Sequence, residues 1–149
     1  MIKKRNGFFE TNSSSSHSLN FDPKCTEFWP YTGPAVIQVT GGEYGWGYEE
    51  LCTDLEKINY MYTLLVNLGH DTRKFIGRDA PESTLLVLER FRRVIEDYTG
   101  AKLDLTTYDD SSYVDHQSLE HHDCLYDDEL LKIVLFGKGS YIVIDNDNH

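Results

Sequence analysis

Nowhere does the sequence carry the eighteen or so consecutive apolar residues that a membrane-spanning helix needs, and its opening, MIKKRNGFFE, lacks the apolar core of a signal peptide. Both absences point to a cytoplasmic protein. Cysteine is scarce as well: Cys25, Cys52 and Cys124 are odd in number, far apart and form no CxxC pair, which argues against a disulfide framework and against a zinc knuckle. Buried or idle thiols in a reducing compartment are the plain reading. No repeat of solenoid period and no interdomain linker is visible, and the one low-complexity run is Ser13 to Ser16. Basic residues are missing from one long stretch: between Asp104 and Glu129 there are nine carboxylates and no lysine or arginine, within a net charge of -11. Such a surface repels nucleic acid and membrane headgroups, so neither is an expected partner; it suits cations or a protein whose own groove is basic. The ordinary alternative is that the charge only keeps the chain in solution.

What is present is enough to fold. The 149 residues are 40% hydrophobic and 13% aromatic, well above the range in which a chain stays disordered for want of apolar surface, and their number fits one domain. Thr53-Asp54-Leu55-Glu56 has capping-box spacing, and Leu55, Ile58, Met61, Tyr62, Leu65 and Leu68 follow at helical intervals, which predicts a helix over about 54–68. Asp79, Pro81 and Glu82 mark the start of a second, with Leu85, Leu88, Phe91, Ile95 and Tyr98 on one stripe before Gly100 and its arginines on a solvated face. Strands are expected at 35–40, at 103–108 and at 140–145, with a polar acidic loop up to about Tyr126. Asp127 or Asp128 caps a short helix through ELLKIVLF; the alternative is a strand turning back across GKG. Either way the fold class is α+β, a single domain of two long amphipathic helices against a small mixed or antiparallel sheet, with residues 1–18 a polar segment docked on it.

Near the start stands FFETNSSSSHSL, Phe8 to Leu19. Serine and asparagine side chains compete for backbone hydrogen bonds, so Thr11 to Ser16 reads as an irregular turn rich in hydroxyls and amides, of a kind that can cradle a phosphate. A flexible tail is the bland alternative. Against it stand Phe8-Phe9 before the run and Leu19 and Phe21 after it, which can pin it to the core. The block resembles the opening of a group of small, uncharacterised proteins of bacteriophages and Gram-positive bacteria, whose chains begin Phe-Glu-Thr-Asn-Ser-Ser-Ser-(Ser or Thr)-His-Ser. GGEYGWGYEE from Gly41, KINY at Lys57 to Tyr60, VDHQS from Val114 to Ser118 and the ending DND from Asp145 are similar too. The resemblance implies a phage or mobile-element origin and a shared polar site, to which Glu10, Thr11, Asn12, Ser13, Ser14, Ser15, Ser16 and His17 would belong at one end of the chain and Gln117 and Ser118 at the other. It implies no reaction.

A second polar stretch, DHQSLEHHDC, offers Asp115, His116, His121, His122 and Asp123, imidazoles and carboxylates of the kind that hold zinc, manganese or iron. There is no HExxH, and solvated histidines in an acidic loop are the plain alternative. With that reservation, His116, His121, His122 and Asp123 are the candidate ligands of a divalent metal, zinc or manganese. VIDNDNH alternates like an EF-hand loop but is followed by no glycine or glutamate here, which argues against calcium by that motif. Gly41 to Gly47 is glycine-rich without GxGxxG or a Walker lysine, so it more readily folds Tyr44 and Trp46 over a pocket or core than binds a phosphate. Lys57 can anchor a ligand anion or, more plainly, pair with Glu56 or Glu50.

Three functions fit these residues. An enzyme would gather His17, Asp115 and His116 at the serine turn, a histidine acting as general base and a carboxylate fixing its tautomer, to bind and hydrolyse a nucleotide or other phosphoester. An acidic inhibitor would instead imitate nucleic-acid charge and occupy a host nucleic-acid-handling protein, in the manner of an anti-CRISPR protein. A third is a pocket that sequesters a signalling nucleotide without chemistry. The first and third require the two ends of the chain to meet.

Overall fold

In the computed structural model, which describes residues 15–68, 82–114, 118–119 and 122–146, the chain runs β1 (Ser15–Asn20), β2 (Val36–Gln38), β3 (Glu43–Tyr44), β4 (Glu49–Leu51), α1 (Asp54–Asn67), α2 (Glu82–Thr99), β5 (Lys102–Asp104), β6 (Tyr113–Val114), β7 (Ser118–Leu119), a 3-10 turn (His122–Tyr126), α3 (Asp128–Phe136) and β8 (Tyr141–Asn146). The fold is α+β, a single small domain. No helix among the described residues is long and apolar enough to cross a membrane.

The main sheet has the order β4-β8-β1-β7. The β-branched YIVIDN of β8 pairs antiparallel with β4 on one side and with β1 on the other, His17 opposite Ile144 and Leu19 opposite Ile142. β7 then adds parallel to β1, Ser16 beside Ser118 and His17 beside Leu119. Period-two alternation sends His17 and Leu19 into the core and leaves Ser16 exposed on the other face. This corrects the irregular turn expected up to Ser16. Ser15 and Ser16 are strand because ladders on both sides of β1 supply the backbone bonds for which serine side chains otherwise compete. Thr11 to Ser14, with Glu10, lie outside the described residues.

The helices follow their sequence signals. Thr53 and Glu56 form the capping box of α1, each side chain accepting from the other's backbone amide. α1 is nearly central, with Ile58, Tyr60, Met61, Leu64 and Leu65 fully buried. α2 buries Val87, Phe91 and Ile95; its cap lies outside the described residues. Its arginines are not simply solvated: Arg90 and Arg93 both reach Asp128 at the start of α3, and Arg92 donates to the Leu103 carbonyl oxygen. ELLKIVLF is helix, not strand, because Asp127 accepts from the amides of Glu129 and Leu130 and fixes the first turn. At its end Gly137 is a steric requirement, since a Cβ there would stand 2.6 Å from the Ile133 carbonyl oxygen.

Two short parallel pairs complete the fold, β2 with β5 and β3 with β6. The predicted strand at 103–108 is shorter and begins a residue earlier, because Asp104 turns the chain by accepting from the amide and hydroxyl of Thr106. The acidic segment beyond it is not one loop. It holds β6, β7 and the 3-10 turn, elements too short to leave an apolar period in the sequence.

Candidate functional site

The pairing of β1 with β7 joins the two polar stretches of the sequence. Ser16, from the serine run, lies beside Ser118, from VDHQS, although about a hundred residues separate them in the chain. Asp145 of β8 stands opposite Ser16 on its other flank. Val114, the last residue of β6, is four residue steps from Ser118, a span of at most about 14 Å. On β6, Tyr113 stacks with Trp46, ring centroids 6.2 Å apart. The seam of β1 and β7 thus gathers Ser16, Ser118 and Asp145. Asp115, His116 and Gln117, which connect β6 to β7, lie outside the described residues, as does His121; His122 and Asp123 open the 3-10 turn. Among the described residues no group of three or more His, Cys, Asp or Glu could hold a metal ion.

Under the seam, His17 is entirely buried and its Nδ1 is 2.6 Å from the Tyr60 hydroxyl. Tyr60 packs edge-on against Tyr44, with centroids 5.1 Å apart. Burial raises the Tyr60 phenol above its ordinary range, with Cys124 and Tyr44 adding to the effect, and pushes Tyr44 up to about 12, with Glu49 contributing. Glu49 faces the same side of the sheet, opposite Ile144, and burial raises its carboxyl too. The imidazole therefore sits in a layer of neutral hydroxyls, facing away from the surface that Ser16 presents. A substrate on the open face does not reach this ring.

Lys57 is the residue whose surroundings differ most from the expectation. It is 1% exposed and makes no ion pair with Glu56, Glu50 or any other carboxylate among the described residues. Its Nζ donates to the Ser140 carbonyl oxygen at 3.2 Å and to Ser140 Oγ at 2.8 Å. A solvated ion pair was the plain expectation for a lysine among acids, but α1 turns position 57 inward together with Ile58, Met61 and Leu64. Ser140 precedes β8, whereas the seam lies at Asp145. Five residues of strand put about 17 Å between them, so Lys57 is not part of the seam.

Tyr60 and Ser140 escape a sequence-only reading. Their signal is the KINY spacing, which sets Lys57 and Tyr60 on one helical face, each in need of a polar partner if that face is buried. Of the cysteines, Cys52 is exposed, Cys25 donates to the Glu27 carbonyl oxygen, and Cys124 is buried; none of the three is in a disulfide. No protein-family model matches the chain, and no curated protein or solved structure is significantly similar to it.

Proposed function

We propose that the seam of β1 and β7 binds a phosphate-bearing ligand of the nucleotide class, and that the chain is a phage-type or mobile-element accessory protein built around that site. The observation that carries the reading is the register that sets Ser16 beside Ser118. Asp145, opposite Ser16, would repel a bare phosphate. The ligand is therefore a nucleotide carrying its divalent cation, the carboxylate facing the metal and the Ser16 hydroxyl facing a phosphate oxygen. Burial of the His17 ring favours binding over hydrolysis: His17 and Tyr60 hold β1 in register, and a catalytic base would have to come from the 115–117 connection.

The nucleic-acid mimic is less well supported. Four of the nine carboxylates between Asp104 and Glu129 have local structural duties. Asp104 and Asp109 close turns onto Thr106 and Ser111, hydrogen bonds that hold both carboxyls below their usual range; Asp127 caps α3; and Asp128 takes Arg90 and Arg93.

Calorimetric titration with adenine and guanine nucleotides, each with and without Mg2+, tests the proposal. Binding should require the metal and weaken at least about tenfold in Ser16→Glu, which places a charge where the phosphate would lie. Metal-independent binding, or equal affinity in Ser16→Glu, contradicts it. Turnover of any bound nucleotide would restore the hydrolase reading.

A further inference from the structure

Lys57 forms part of the wall of a cleft of about 180 Å3, together with Trp29, Cys52, Thr53, Asp54, Leu135 and Phe136. At roughly 30 Å3 per water the space equals about six water molecules, which suits a small organic molecule. One side is apolar, from Trp29, Leu135 and Phe136, and the other comes from the first turn of α1.

The amine is arranged for chemistry more than for charge pairing. Ser140 Oγ lies 2.8 Å from the Val134 carbonyl oxygen and 2.9 Å from that of Gly137, so its own proton is directed there and it accepts from Lys57. With the Ser140 carbonyl oxygen that makes two acceptors for Nζ. A neutral amine has two hydrogens to give them and keeps a lone pair; an ammonium has a third hydrogen with no acceptor among the described residues. Burial works the same way and lowers the Lys57 pKa to about 8. Asp54 borders the same cleft one helical turn earlier.

We propose that Lys57 is a nucleophile that condenses with a small aldehyde carrying an apolar substituent, held in the cleft between Trp29 and the first turn of α1. Nζ attacks the carbonyl carbon, forming the C–N bond, while a proton passes from nitrogen to the carbinolamine oxygen; the C–O bond then breaks, water leaves, and an imine remains. Asp54 is the group positioned to carry the protons of addition and dehydration. The inference rests on this cleft alone and is independent of the seam.

The test uses the intact protein with pentanal and cyanoborohydride at pH 8, the hydride converting any imine into a stable secondary amine, with peptide mapping by mass spectrometry. Lys57 should be alkylated at least about tenfold faster than Lys24, Lys102, Lys132 and Lys138. Asp54→Asn should slow labelling at Lys57 by roughly tenfold or more and leave the other lysines unchanged. Labelling of Lys57 no faster than that of these lysines overturns the proposal. An unchanged rate in Asp54→Asn overturns the role of Asp54.

Discussion

At one end of β8, beside Ile144, a buried imidazole meets a buried phenol; at the other, just before Tyr141, a buried amine meets a serine. Both arrangements satisfy their hydrogen bonds, yet they differ in charge. The His17 and Tyr60 pair can be neutral throughout, so its burial costs little beyond the loss of water that the 2.6 Å hydrogen bond offsets. Lys57 has no direct ion pair among the described residues; burial outweighs the nearby charges of Asp54 and Glu56, and its folded form favours losing the proton. A neutral pair is a device for holding β1 in place, whereas a buried amine without an ion pair carries a burial penalty until the proton has gone. That contrast is why the seam is read as a site held together from beneath and the Lys57 cleft as a site of reactivity.

The comparison breaks first at His17. His17→Ala leaves a cavity under β1 and a buried Tyr60 hydroxyl without its partner, and should cost about 3 kcal/mol in denaturant unfolding. A loss below about 1 kcal/mol would mean that β1 is not anchored through this ring. Next comes Lys57→Met, which should act in the opposite direction. The folded chain loses the Lys57 proton near pH 8, the unfolded chain near 10.5. Between those values the unfolded state holds more protons, so stability rises with pH there, and the full penalty, roughly 3 kcal/mol, applies below pH 8. The lost bonds to Ser140 offset part of the relief, so Lys57→Met should gain about 1 kcal/mol at pH 7. Relative to wild type that gain should shrink, and then reverse, as pH approaches 10.5; a pH-independent difference would place the lysine in water.

Tyr60→Phe sharpens the contrast with a smaller change. It keeps the ring and removes the hydroxyl facing Nδ1, which should cost about 1–2 kcal/mol with little effect on the labelling rate of Lys57 one turn away. Asp127→Ala is the local reference. Loss of the α3 cap should cost about 1 kcal/mol and leave both buried pairs in place, which thermal unfolding with the two pH profiles can check.

The parts of this architecture legible in the sequence are those governed by neighbours in the chain. The capping box at Thr53 and Glu56, the cap at Asp127 and the β-branched run before Asp145 each report a local preference, and each appears where it was expected. β1 was not legible as a strand because SSHSLN has little intrinsic preference for one; its conformation comes from β7 and β8, partners about a hundred residues away. The paired strands of the acidic segment are hidden for the same reason. Of the site, the meeting of the serine run with VDHQS was anticipated from resemblance alone, while the inward turn of Lys57 and the choice of Ser140 as its partner depend on how α1 packs across the sheet. Trp46 stacks on Tyr113, a contact that no glycine-loop motif announces.

The most direct test follows backbone amide shifts while a Mg2+ nucleotide is added to the isotope-labelled protein. Changes concentrated at residues 15–18, 118–119 and 144–146, with the signals of 138–141 and of Lys57 left in place, are the predicted result. Shifts that gather instead around Ser140 and the first turn of α1, or no shifts at millimolar nucleotide, would contradict the assignment of the seam.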